Sequence, residues 1–216
     1  MNTSQISFKL FNSDFINSAE LNTLNQVTQS IPRQTWYGRE NFLKDTFVAK
    51  LVESEFLFSF SKNYICLPVI EKIATIFLKQ ILELHHDPIK MCIFESTIDR
   101  NTVTKETEEK SHFFWHRDSI CLENREMTPV DYTMIFLLNQ KIWDGGNLLL
   151  QKGGNYIGNS YQWQGSETPI IEIPIENDKA IIFKNIDCGH AVTALKVKEN
   201  DLVQRDVFIL TCKILS

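Results

Sequence analysis

The chain lacks any apolar run near the roughly 20 residues that a bilayer-spanning helix requires; its longest, such as Met134 to Leu138, stop far short. Its opening residues, Met1-Asn2-Thr3-Ser4-Gln5-Ile6-Ser7, lack the basic segment and apolar stretch of a secretory signal, so neither export nor membrane insertion is expected. No Cys-x-x-Cys pair occurs. The five cysteines, Cys66, Cys92, Cys121, Cys188 and Cys212, are scattered and odd in number. That pattern argues against a disulfide framework or thiolate zinc site, and for a reducing, cytoplasmic compartment. Positive charge is also short: the formal net charge is −5, and no lysine/arginine cluster interleaves with aromatic residues, so nucleic acid is not an expected partner. Internal repeats and low-complexity tracts are missing. What is present, 43% hydrophobic and 23% charged residues in 216, suits one globular unit with a substantial core.

The first part of the chain reads as helical. Ser18 is placed to cap a helix through Leu21, Leu24 and Val27, with Glu20 in its first turn and Pro32 as its stop. A second helix is expected over Glu40 to Glu55. The clearest follows Pro68, with Ile70, Ile73, Ile76, Phe77, Ile81 and Leu84 forming a stripe suited to packing on a sheet, and it should end by Pro88. From Ile89 the pattern changes to short β-rich segments. Strands are predicted near Ile89–Thr97, Phe113–Ser119, Tyr132–Asn139, Asn147–Gln151, Pro169–Ile175, Lys179–Lys184, Ala191–Val197 and Arg205–Ile214, which argues for an antiparallel two-sheet roll. Asp144-Gly145-Gly146-Asn147 and Lys152-Gly153-Gly154-Asn155 read as turns. Asn159 to Thr168 reads as a polar loop, and Asn101 to Lys110 as an exposed, mobile segment suited to act as a lid. The expected organisation is an N-terminal helical support region, 1–88, and a β core, 89–216, forming one compact unit.

Two His-x-Asp tripeptides stand out among the five histidines. His85-His86-Asp87 falls where a helix should end, a position that favours histidine for its interaction with terminal carbonyls. His116-Arg117-Asp118 falls in a predicted strand, where residues two apart project from one face and can grip one ion. Two histidines and one carboxylate leave open positions on a metal, the arrangement of non-haem Fe(II) oxygenases.

Downstream residues extend this pattern in order. Trp115-His116-Arg117-Asp118, then Thr133 through Leu138-Asn139 to Gly145-Gly146, then Gly189-His190-Ala191-Val192-Thr193, then Gln204-Arg205-Asp206-Val207-Phe208-Ile209-Leu210 resemble the Fe(II)/2-oxoglutarate-dependent oxygenase family, in its prolyl-4-hydroxylase-like, Trp-His-x-Asp form. The resemblance spans about Ile89 to Ile214. It implies a mainly β fold with N-terminal helices, a double-stranded β-helix of the jelly-roll, cupin-like kind. It also implies Fe(II) held by His116, Asp118 and His190, 2-oxoglutarate anchored by Arg205 with Tyr132 or Thr133 as a further contact, and O₂ as oxidant. The implied reaction hydroxylates a C–H bond of a small molecule or amino-acid residue, with release of succinate and CO₂. Retention of Asp118 favours oxygenation over halogenation. The interval from His190 to Arg205 is longer than in prolyl hydroxylases, implying an insertion around Lys198 to Leu202 and keeping Lys196 and Lys198 as reserve candidates. Val207 stands where some members have a small hydroxyl residue. The competing readings are a cupin-like metalloenzyme that does not use 2-oxoglutarate and a non-catalytic binding barrel.

Overall fold

The computed structural model describes residues 6–30, 34–36, 39–62, 65–121, 127–156 and 163–215. Ahead of the β core it has β1 (Phe8–Asn12), α1 (Ser18–Ser30), β2 (Gln34–Trp36), β3 (Arg39–Val52), β4 (Glu55–Phe60) and α2 (Leu67–Leu84). The core contributes β5 (Met91–Val103), β6 (Phe113–His116), β7 (Ser119–Cys121), β8 (Met127–Pro129) and β9 (Tyr132–Leu137). It continues with β10 (Asp144–Gly145), β11 (Leu148–Lys152), β12 (Asn155–Tyr156), β13 (Trp163–Gln164), β14 (Ile170–Ile173), β15 (Lys179–Lys184), β16 (Cys188–Val192), β17 (Leu195–Lys196) and β18 (Val203–Leu215).

These strands form two main antiparallel sheets. The larger runs β1-β15-β9-β18-β5-β3-β2 with β4 on β3, and the smaller runs β14-β11-β16-β6. Three layers result, because the larger sheet buries both faces. One face packs on α1 and α2 through Leu24, Ile73, Phe77, Phe94, Phe136 and Phe208; the other meets the smaller sheet through Ile135, Leu137, Val207, Leu148, Leu150 and Ile173. This explains why β9 reads Tyr-Thr-Met-Ile-Phe-Leu without polar alternation: every residue in it is buried.

Segment 40–55, expected to be helical, is instead the long strand β3, paired with β5 from Glu40↔Arg100 to Lys50↔Met91. A bulge explains the misreading. The register shifts between Phe42 and Asp45, with Leu43 at φ 52°, so Phe42 and Leu43 are both buried and the period-2 pattern is broken at that point. Residues 1–88 therefore supply strands to the larger sheet as well as helices.

Segment 101–110 also differs from expectation. It ends β5 and then forms a short 3₁₀ helix, Lys105–Ser111, with a capping box between Thr104 and Thr107. Glu108 is buried and held by Lys105 and Lys196, whose hydrogen bonds bring its carboxyl down to about 2. Lys105, Glu106, Thr107, Glu109 and Lys110 are exposed, as expected of this segment. Of the loop expected over 159–168, residues 159–162 lie outside the described residues; Trp163–Gln164 pairs with β12.

Gly145 and Gly146, at φ 71° and 65°, make the turn expected of them. A Cβ on Gly145 would lie 2.2 Å from the Ala194 carbonyl oxygen, so this approach admits only glycine.

Candidate metal centre

His116, Asp118 and His190 converge between the sheets. His116 ends β6 and is the cross-strand partner of His190 in β16, with ring centroids 4.1 Å apart. Asp118 lies two residues past the end of β6, and its carboxylate meets both imidazoles. Its oxygens lie 3.5 Å from His116 Nε2 and 3.5 Å from His190 Nε2. One ligand atom from each of the three falls within 4.8 Å of the others.

The surroundings prepare these atoms for a cation. His116 Nδ1 lies 2.8 Å from the Phe114 carbonyl oxygen, so the proton sits there and Nε2 keeps its lone pair facing Asp118. His190 is packed edge-on to Phe183, and burial together with His116 brings its pKa down to about 3 against the opposing pull of Asp118. It is therefore neutral near pH 7. Burial alone would raise the Asp118 carboxyl, but His190, His116 and a 2.7 Å hydrogen bond from the Thr133 hydroxyl hold it well below the ordinary range. Two imidazoles and a carboxylate form a donor set that fits a divalent transition metal such as Fe(II).

A residue outside every motif holds this geometry. Asn185, fully buried between β15 and β16, accepts the Asp118 N–H at 3.1 Å through Oδ1. Its Nδ2 donates to the Asp118 carbonyl at 3.1 Å and the Val130 carbonyl at 3.0 Å. One amide thus ties the Asp118 segment to the start of β9 and to the strand that carries His190. Its only signal in the sequence is its place just before the distal histidine.

Arg205 lies on the interior face of β18, with Val207 and Thr211, and is 4% exposed. Among the described residues its Nε has no hydrogen-bond partner. A second buried guanidinium, Arg39, stacks 4.5 Å over Phe113, pairs with Asp99 at 2.9 Å and donates to the Ser111 carbonyl at 2.9 Å. Burial and Arg39 lower the Arg205 pKa to about 10, with Asp99 opposing. A buried cation with an orphaned donor is suited to an anion such as a carboxylate.

The other sequence candidates are dispersed. Thr133 is engaged with Asp118. Tyr132 alternates to the helix-side face, where its hydroxyl sits 3.4 Å from His85 Nδ1, so it is not brought to the metal centre. Lys196 and Lys198 are exposed, Lys196 pairing with Glu108, and the segment before Arg205 turns at Asn200, φ 63°. His85 is the C-cap of α2, its backbone N–H donating to the Ile81 carbonyl at 2.7 Å, so the first His-x-Asp copy lies at a helix end as expected.

Solved structures with this architecture include an oxidoreductase of the 2OG-Fe(II) oxygenase family from Burkholderia pseudomallei, with TM-score 0.57 at 10% identity over 95% of this chain and 84% of that one. IDO from Bacillus thuringiensis gives TM-score 0.63 at 13% identity over 97% and 90%. A prolyl-4-hydroxylase from Pseudomonas putida gives 0.53 at 10% over 98% and 95%. No protein-family model matches the chain, and no curated protein matches it in sequence. The likeness is one of fold: a mainly β, antiparallel jelly roll shared with 2OG-Fe(II) oxygenases. Among the described residues, no helix is long and apolar enough to cross a membrane.

Proposed function

We propose that this chain is an Fe(II)- and 2-oxoglutarate-dependent oxygenase that hydroxylates a C–H bond of a small molecule or amino-acid residue. The observation that carries the reading is the pairing of a two-histidine, one-carboxylate donor set with a buried, under-bonded arginine on the last strand of the same interior. His116, Asp118 and His190 would hold the iron; Arg205 would hold the distal carboxylate of 2-oxoglutarate. When bound, Fe(II) supplies activation of O₂ coupled to decarboxylation of the co-substrate.

The protein's own part is positioning. Thr133 and Asn185 fix the Asp118 carboxylate and its backbone, so the ligand does not reorganise when the metal enters. Arg205 aims co-substrate, and the apolar residues between the sheets exclude water from the reacting centre.

Uncoupled turnover tests the reading. Metal-free protein supplied with Fe(II), ascorbate and 2-oxoglutarate should form succinate, followed by NMR, and His116→Ala and Arg205→Ala should not. Absence of succinate from the wild type, with no 2-oxoglutarate binding to Mn(II)-loaded protein, would refute the assignment.

A further inference from the structure

The interior face of β5 is polar where the space between two packed sheets is normally apolar. Strand alternation puts Ile93, Glu95, Thr97, Asp99 and Asn101 on that face, since Cys92, Phe94 and Ile98 point into the helix-side core. Two of these polar residues have structural partners: Asp99 takes Arg39, and Asn101 Nδ2 donates to the Ser111 carbonyl at 3.1 Å. Glu95 is different. Among the described residues its carboxylate has a single partner, Lys44 Nζ at 3.6 Å.

That pair is lopsided. The Glu95 side chain is 14% exposed and that of Lys44 53%, so a confined carboxylate faces a solvated ammonium at long range. Burial pushes the Glu95 carboxyl above its ordinary range; Lys44 opposes this, and the Asp118 carboxylate adds to it. A surface ion pair is worth little and gives no reason to enclose one partner. An enclosed carboxylate with spare acceptor capacity is suited to a cation that arrives from outside.

The strand register ties Glu95 to the metal centre. Glu95, Thr211 and Thr133 are cross-strand neighbours on β5, β18 and β9, so their side chains share the interior face. Thr133 is the residue that holds Asp118. Two strand spacings, about 10 Å between backbones, therefore separate Glu95 from the strand supporting the metal ligand. A small substrate can span that gap.

We propose that Glu95 is a substrate-binding residue that receives the cationic nitrogen of an aliphatic amine, so that the substrate presents a C–H bond to the metal a few bonds away from an ammonium group. Lys44 is the ion that this nitrogen displaces. The inference rests on the oxygenase reading for its chemistry, while the amine subsite itself is testable by binding alone.

The probes are n-alkylamines from propyl to hexyl, each matched with the alcohol of the same length, titrated into Mn(II)-loaded full-length protein. Paramagnetic broadening of the probe's proton signals reports occupancy beside the metal. Wild type should bind the best amine at least tenfold more tightly than its alcohol. Glu95→Gln should erase that preference in protein that still binds Mn(II); Lys44→Ala should strengthen amine binding severalfold by removing the competing cation. Amines that bind no better than alcohols, or a preference that survives Glu95→Gln, overturn the proposal. If the amine preference is found but wild-type protein makes no succinate, the subsite stands and the oxygenase reading falls.

Discussion

Asn185 clasps Asp118 through both polar atoms of its peptide backbone, accepting its N–H and donating to its carbonyl, each at 3.1 Å. Because the same Nδ2 also reaches Val130, removing this amide leaves buried backbone groups without partners. Asn185→Ala is expected to lower unfolding free energy by about 1–3 kcal/mol and to weaken Fe(II) or Mn(II) binding by roughly 10–100-fold. Asn185→Asp, which keeps the acceptor and loses both donors, should fall between wild type and alanine in metal affinity. Equal metal affinity in all three proteins would restrict Asn185 to a structural role.

Thr133 acts on the side chain of the same aspartate. Its hydroxyl is fully buried, and its 2.7 Å hydrogen bond to Oδ2 fixes which carboxylate oxygen remains free to face a metal. Thr133→Val preserves shape and removes only that bond. Metal affinity should drop about tenfold or more, read by Mn(II) EPR titration, with little change in the fold by circular dichroism. An unchanged titration curve would remove Thr133 from the metal's support.

How much of this was legible in the sequence follows from how local each signal is. The α2 stripe and the strands β9, β15 and β18 were readable because their apolar residues answer to one sheet face or to both. β3 was not, since its bulge at Leu43 puts two adjacent residues into the core and imitates helical spacing. The candidate ligands were legible through their spacing and order. Asn185, Arg39 and Glu95 were not, because an amide 67 positions away from Asp118 in sequence or a strand's interior acid carries no local pattern; only the register of the folded sheets gives each its neighbours. Tyr132 and Thr133, adjacent in sequence, lie on opposite faces of β9, a distinction that only the fold direction resolves.

The metal-free protein should lose stability on mild acidification through His190. Its folded pKa, about 3, lies below the ordinary 6.5, so between those values the unfolded chain binds a proton that the native state refuses. Stability is therefore full above about pH 6.5 and falls as pH drops, with a slope approaching ~1.4 kcal/mol per pH unit. Urea midpoints measured between pH 6.5 and 5.5 follow this loss. His190→Gln should flatten the profile, and an identical slope in that variant would assign the acid sensitivity to another group.

Arg205 allows stability and ligand binding to be separated. Its guanidinium is buried with an orphaned Nε, and burial together with Arg39 lowers its pKa, so in the absence of an anion it is a charge held at a cost. Replacing it by methionine, of similar length and no charge, should leave the thermal midpoint unchanged or raise it. The same variant should bind 2-oxoglutarate about 100-fold more weakly on the Mn(II)-loaded protein, since a bidentate charge-assisted contact is lost. Metal affinity should not change, because Arg205 is not among the residues that gather around Asp118. A large fall in the thermal midpoint with 2-oxoglutarate binding intact would make Arg205 part of the wall, and the anion would then have to be sought at Arg39, whose guanidinium is already committed to Asp99 and Ser111.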